Sequence, residues 1–534
     1  MQHVEIAKGS SRRADIEARL TGRFYTPIEI AESLAASAVA SGLQPECVCD
    51  PFCGDGRLLV AWLRCAATDR SAIEWLSEVR VWDYDSEAVE TARRAVGGLL
   101  QELGLSGRVR LVAASGDTFK RVPQETASVD LLLTNPPWEL LKPDSRDAVE
   151  LPGEYRQSLR GYAEWLDREY PGCKSASGKA VTGYGVNLAR AGAIASARLL
   201  RASAAMYIVL PSAIFADQAS SPFRSSLFKR LDVSRIDYYP AEAKLFDSVD
   251  QAFVTLAARP GGPTRCFQLT RFDAERHQVD SREHHLGSSF SDPLALNVAG
   301  DAEEIVRMVC GRHASLSILE MDLRIGLWLG RELDETRLAE SLCTGTGGVP
   351  FLKGRHVFPF QIKRDSLDYI DPTKRQIPGT VSERRIAWRD VSRPSQRRRM
   401  HVAFVPPGNV TGNSLGVAFL RTGDAEALSA LLAILNSFVF ELQVRAKLAT
   451  THVSQGVLRQ CSVPLGVLLE SQGREELLRM LDKRLRSDAE LPELEVAVAR
   501  AYGLDREAFA SALSAFPKLS GDERETLLCK DLWQ

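Results

Sequence analysis

Several residue types are scarce in this chain. Its 534 residues include eight histidines and ten cysteines, and neither type recurs at the paired spacing that a zinc site requires. His284 and His285 lie in a polar stretch, while Cys47, Cys49 and Cys53 fall in a strand-like run and the turn after it. No metal is expected, and all the cysteines read as reduced thiols. Long apolar runs are missing as well: Leu431 to Val444 is too short to cross a bilayer and carries Asn436 and Glu441. Together with the lack of a signal-like terminus, this gives the expectation of a cytoplasmic location. There is also no excess of one charge, since 67 Lys and Arg face 69 Asp and Glu for a formal net charge of −2. A uniformly basic surface is therefore excluded, but a local basic stripe is not. No internal repeat is evident. A hydrophobic content of 45% over this length provides for substantial cores and more than one domain.

What is present is a tetrapeptide with unusual chemistry. Asn135-Pro136-Pro137-Trp138 follows the apolar run Val129-Asp130-Leu131-Leu132-Leu133. The exocyclic amine of adenine is a poor nucleophile because its lone pair is delocalised into the ring. An Asn side-chain oxygen and the next carbonyl can each accept one N–H from it, drawing the nitrogen toward a tetrahedral shape. Two prolines stiffen the backbone that aims the carbonyl. An aromatic residue beside them offers a face for a base extruded from a duplex, and Trp138 is the candidate platform. The alternative is a tight turn after a buried strand, with Trp138 in the core.

A second motif lies upstream. Cys47-Val48-Cys49-Asp50-Pro51-Phe52-Cys53-Gly54-Asp55-Gly56 reads as a strand, a glycine turn and the start of a helix from Arg57 to Ala67. Gly54 and Gly56 allow the backbone to close on a nucleotide-like ligand at the helix N-terminus. Their spacing departs from the dinucleotide fingerprint, which argues against NAD and leaves S-adenosylmethionine open. A strand over Val79 to Trp82 ends in Asp83-Tyr84-Asp85, and another over Val109 to Val112 leads to Asp117-Thr118. Asp83 is a candidate for ribose hydroxyls and Asp117 for the cofactor's adenine amine. Either acid taken alone is more often a solvated loop residue or a helix cap.

With these motifs in place, the chain resembles the γ-class N6-adenine DNA methyltransferases of type II and type IIG restriction-modification systems. Gly22-Arg23-Phe24-Tyr25-Thr26-Pro27 is similar to the family's N-terminal motif, Asp50 to Gly56 to its cofactor loop, and Asn135 to Trp138 to its catalytic motif, with Trp in place of the commoner Tyr or Phe. Further matches are Val186-Asn187-Leu188 opening a helix through Leu200, the run Tyr207 to Ser212, and Lys244-Leu245-Phe246 before Ala252 to Leu256. The order of motifs is the γ arrangement. The resemblance implies an α/β, Rossmann-like S-adenosylmethionine-dependent methyltransferase domain over 1–265. A connecting segment at 266–315, an α+β DNA target-recognition domain at 316–466 and a helical C-terminal segment at 467–534 follow. Asn135, Pro136, Pro137, Trp138 and Phe246 are then the catalytic set, with Phe246 against the flipped base. Tyr25, Thr26, Pro27, Asp50, Pro51, Cys53, Gly54, Gly56, Asp83, Tyr84, Asp117 and Thr118 form the cofactor set. The partner implied is double-stranded DNA, with a separate restriction endonuclease or other defence subunits as further candidates.

Within the expected recognition region, Arg384, Arg385, Arg389, Arg393, Arg397, Arg398 and Arg399 crowd one segment against Glu383 and Asp390. Such a stripe can neutralise phosphates, and its alternative is a solvated charged loop. A single helix is expected over Leu431 to Lys447. The polar segment between Trp138 and Tyr184 reads as a loop that orders on DNA, with Arg156, Arg160 and Lys179 as candidate phosphate contacts. About twenty residues precede the N-terminal motif, fewer than a nuclease domain needs, so modification without cleavage is expected. Two other readings stay open: a methyltransferase acting on RNA or a protein glutamine amide, and an inactive DNA-binding specificity subunit.

Overall fold

The computed structural model describes residues 25–141, 153–176, 185–246, 251–287, 289–335, 338–343, 347–393, 396–448, 451–487 and 490–534. They form two compact units, Met1–Leu294 and Ala295–Gln534. Gly22, Arg23, Phe24 and Lys179 lie outside the described residues, and so does the side chain of Arg156.

The first unit is built on a nine-stranded sheet. Its parallel part comprises β1 (Cys47–Asp50), β2 (Glu78–Asp83), β3 (Arg110–Ser115) and β4 (Val129–Thr134). Strands covered on both faces read as unbroken apolar runs rather than alternating ones, and Leu131, Leu132 and Leu133 are all buried. The connecting helices include α1 (Ile28–Ala40), α2 (Arg57–Thr68) and α3 (Ser86–Glu102). After the short β5 (Leu140–Leu141), helix α4 (Gly153–Glu169), the short β6 (Val186–Asn187) and helix α5 (Leu188–Leu199), the sheet resumes with β7 (Leu200–Pro211), β8 (Leu231–Tyr239) and β9 (Phe253–Pro260). It ends with β10 (Cys266–Phe272) and β11 (Gln278–His285), giving the order β11-β10-β8-β9-β7-β4-β1-β2-β3. β1 pairs in parallel with β2 on one side and β4 on the other. The chain therefore leaves β1 in one direction and returns on its other flank, opening a crevice at the carboxyl ends where ligands bind in such sheets.

The expected connecting segment at 266–315 is corrected. β10 pairs in parallel with β8, and β11 returns antiparallel beside it as the sheet edge. Gln278–His285 is a largely exposed strand whose polar side chains hid its pairing. The single helix expected over Leu431 to Lys447 is two, Ala425–Leu435 and Phe438–Lys447, bent by 63°. Asn436 turns its carboxamide onto both backbone groups of Val402, at 3.1 and 3.0 Å, and Ser437 caps the second helix through the Phe440 N–H. Among the described residues no single helix is long and apolar enough to cross a membrane.

The second unit holds a four-stranded antiparallel sheet in the order Leu327–Gly330, Leu415–Leu420, Arg385–Arg389, Val402–Val405. One apolar cluster runs from Val298 through Trp388 and Phe440 to Leu527. The helices after residue 467 therefore share a core with the preceding region rather than standing apart as the segment expected at 467–534.

Candidate active site

The glycine turn after β1 is shaped by left-handed backbone at Gly54 (φ 50°) and Gly56 (φ 84°), conformations that side chains strongly disfavour. A Cβ on Gly54 would come within 3.0 Å of the Tyr25 ring, and one on Gly56 would meet the Ala92 backbone at 2.9 Å. The turn is thus sandwiched between α3 and Tyr25. Arg57 ties the segments together, donating to the Thr26 carbonyl at 2.7 Å with its guanidinium 5.2 Å from the Tyr25 ring centroid. Pro27 opens α1, its carbonyl accepting from Ile30 and Ala31.

The acids named from sequence meet around this turn. Asp83, at the end of β2, accepts from the Gly54 N–H at 2.9 Å and from the Asp85 N–H at 3.0 Å. The carboxylate keeps lone-pair capacity for a hydroxyl donor. The Cys53 N–H donates to the Trp82 carbonyl and the Gly116 N–H to that of Asp83, so the ends of β1, β2 and β3 are laced together. Asp117 caps a short turn through the Phe119 N–H and accepts from the Tyr162 hydroxyl of α4 at 3.1 Å. Thr118 donates to the Pro51 carbonyl at 2.8 Å. Tyr84 is 82% exposed, which leaves its ring face open. Cys53 is buried, and burial pushes its thiol far above the usual range, so it is unsuited to act as a nucleophile.

Asp50 joins the two motifs. Its Oδ1 accepts from the Thr134 hydroxyl at 2.6 Å and from the Phe52 N–H at 3.1 Å. Thr134 is the last residue of β4, so this carboxylate spans from the glycine turn to the residue before Asn135. Its Oδ2 is buried with no hydrogen-bond partner among the described residues. Burial drives the carboxyl up to about 7, opposed by the Thr134 and Phe52 hydrogen bonds.

Asn135 and Pro137 are half-buried and Pro136 is buried. Pro136 rests on Gly192 of α5, where a Cβ would fall 2.4 Å from the proline Cβ. Beyond Trp138 the chain pairs antiparallel with β6, and the Leu188 N–H donates to the Glu139 carbonyl, so the tetrapeptide lies against the N-terminal part of α5. A rigid carboxamide with a peptide carbonyl beside it can accept both hydrogens of an amino group. Gly192 was not legible as a site residue, because an isolated Gly in a helical stretch signals only a close approach of unknown partner.

Trp138 and Phe246 were expected to cover the two faces of one base. They meet each other instead, with ring centroids 4.8 Å apart and planes at 55°, and Phe253 abuts Phe246 at 5.0 Å. Inserting a base between them requires about 7 Å, two layers of van der Waals contact. In this conformation the pair packs as core.

The basic stripe is also corrected, because most of its guanidiniums are used internally. Arg385 is fully buried, paired with Glu332 and donating to the Asn409 carbonyl at 2.6 Å. Arg389 donates to the carbonyls of Gly354 and Val357. Arg397 pairs with Glu490 and Glu523, and Arg398 with Glu441 and Glu495. Arg399 is buried and donates to the Ser392 carbonyl. Arg384 and Arg393 stay exposed, the former over the Phe404 ring at 4.9 Å. A run of charges in the sequence cannot reveal that its countercharges come from distant helices.

The family model of N-6 DNA Methylase matches residues 11–149, the span from the N-terminal motif past the tetrapeptide. No curated protein matches the chain in sequence. Among solved structures, the type IIL restriction-modification enzyme MmeI in complex with DNA is similar at 11% identity and a TM-score of 0.53, covering 97% of this chain and 76% of that one. The DrdV–DNA complex is similar at 10% identity and a TM-score of 0.52, covering 87% of this chain, which spans 58% of that one. At these identities the likeness is one of fold. The cofactor that the family implies is S-adenosylmethionine, and the residues fit it. The glycine cradle would be filled by any Cβ, the Asp83 and Asp117 carboxylates flank it at successive strand ends, and a buried Asp50 oxygen is still without a donor. Over residues 11–149 this chain is thus similar to the N-6 DNA methylase family.

Proposed function

We propose that this chain is a site-specific DNA methyltransferase that places a methyl group on the N6 amine of an adenine turned out of duplex DNA, as the modification component of a restriction-modification or related defence system. The observation that carries this reading is the Asp50 carboxylate, which binds the cofactor turn and Thr134 at once and so sets Asn135 beside the cradle. S-adenosylmethionine supplies the electrophilic methyl group. Asp83 receives ribose hydroxyls, Asp117 the adenine amine, and Tyr25 with Thr26 and Pro27 closes the far side. The Asn135 side-chain oxygen and the Pro136 carbonyl accept the two N–H bonds of the target amine, localising its lone pair for in-line attack. Trp138 supports the base once Phe246 yields its place. The second unit supplies DNA contacts, in keeping with the DNA complexes of MmeI and DrdV.

The test is transfer of a labelled methyl group to DNA, together with sequencing of DNA from cells that express the chain. Methylated adenine at one sequence motif is expected. Asn135→Ala should lower transfer at least about a hundredfold with cofactor affinity retained. Labelling of RNA or a protein amide instead, with DNA left unmodified, would overturn the reading.

A further inference from the structure

We infer a phosphate clamp in the second unit, made by Arg331 and His452 on one buried carboxylate, that grips the backbone of duplex DNA. The inference rests on the DNA-methyltransferase reading above.

Asp390 is 4% exposed in its side chain, and its two oxygens go to different side chains: Oδ1 to Arg331 Nη2 at 2.7 Å and Oδ2 to His452 Nδ1 at 2.8 Å. Both of these side chains reach the surface, 41% and 59% exposed. Because they share one carboxylate, the guanidinium and the imidazole converge on one small anion. The topology brings them together. Leu327–Gly330 and Arg385–Arg389 each pair antiparallel with Leu415–Leu420, so they run the same way and their following residues, Arg331 and Asp390, emerge at the same end of the sheet. His452 is brought alongside by a bracket of backbone bonds, Ser392 N–H to the Thr451 carbonyl at 2.8 Å and Val453 N–H to that of Asp390 at 2.6 Å, locked by the Trp388 indole on the Val453 carbonyl at 2.9 Å.

This arrangement differs in kind from the arginines around it. Arg385, Arg398 and Arg399 are buried or nearly so and satisfied by partners inside the unit, whereas here the carboxylate is buried and the guanidinium and imidazole are exposed. A buried acid that fixes the rotamers of two exposed side chains removes much of the entropy lost when flexible side chains seize a ligand. The forked guanidinium retains further N–H groups for phosphate oxygens. Exposed Arg393 lies three residues beyond Asp390 in the chain.

The test uses the full chain and a short fluorescent duplex of random sequence, whose binding is governed by phosphate contacts and their counterions. Association constants are measured across a salt series for wild type, Arg331→Ala, Arg331→Gln and Arg331→Ala/His452→Ala, with thermal unfolding of each. Arg331→Gln keeps a hydrogen-bond donor for Asp390 while removing the charge. Binding should weaken roughly fivefold in each single variant, and the slope of log affinity against log salt should become shallower by about 0.9, the share of one neutralised phosphate. Unaltered affinity and slope in Arg331→Gln and the double variant, with the wild type binding normally, overturns the clamp alone. A wild-type chain with no affinity for any duplex overturns both the clamp and the DNA reading.

Discussion

Gly192→Ala gives the sharpest test of how the tetrapeptide is held. The added Cβ would stand 2.4 Å from the Pro136 Cβ, and ordinary contact begins near 3.4 Å, so one side must retreat by about 1 Å. Pro136 cannot rotate away, because its ring is closed on the backbone. α5 is fixed in turn by the Asn187 cap on the Arg190 N–H and by the buried Ala189, Ala191 and Ala193. The retreat therefore falls on the strand end that carries Asn135. A displacement of about 1 Å in a catalytic group costs on the order of a hundredfold in rate. The assay is single-turnover transfer of labelled methyl to DNA, run beside calorimetric titration of the cofactor. Transfer should drop about a hundredfold with cofactor affinity within about threefold of wild type, since the added Cβ meets the cofactor turn only at the Phe52 ring edge, at an ordinary 3.4 Å. Helicity should not suffer, because alanine is the better helix former by roughly 1 kcal/mol. A Gly192→Ala chain that methylates at the wild-type rate would refute the reasoning.

Asp50→Asn tests the buried carboxyl. Its folded value lies near 7 against an ordinary 3.8, so the folded protein keeps a proton that the unfolded chain releases as the pH climbs. Burial of the ionised form thus destabilises increasingly from about pH 4 to pH 7 and by a constant amount above. Asparagine does not titrate, so the stability of Asp50→Asn relative to wild type should rise over that interval by up to about 4 kcal/mol, measured by denaturant unfolding without cofactor. A difference that stays level with pH would exclude the shift. Arg398→Met removes a cation from between the buried Glu441 and Glu495, and should destabilise the second unit by about 3–5 kcal/mol in thermal unfolding. Below the melting point its salt dependence of DNA binding should match wild type. Asp83→Ala releases the Gly54 N–H and should weaken cofactor binding about tenfold or more by calorimetry while Asn135 keeps its place.

The parallel core was legible because buried parallel strands announce themselves as apolar runs. The stretches before Asp50, Asp83, Asp117 and Asn135 each form a strand within three residues of the expected bounds. The acids converge because carboxyl ends of parallel strands share an edge. β10 and β11 were missed for the opposite reason: β11 is a polar edge strand with one partner, and its sequence matches that of a linker. The kink at Asn436 was written in the chain as an Asn-Ser pair, yet only the backbone of Val402 explains why the helix stops there. The arginine stripe was misread as an interface because charge tells nothing of partners dozens of residues away, and Glu441 and Glu495 lie in helices further along the chain.

The contact of Trp138 with Phe246 has a consequence for selectivity. The indole already has a ring as its neighbour, so under the proposed function a purine arriving from the duplex would compete with a resident phenyl group rather than settle on bare surface. Only a guest whose stacking and amine contacts together outweigh that neighbour would displace it. The indole would thereby keep its most adhesive face masked at rest, and loosely held bases would meet a threshold before they reached Asn135.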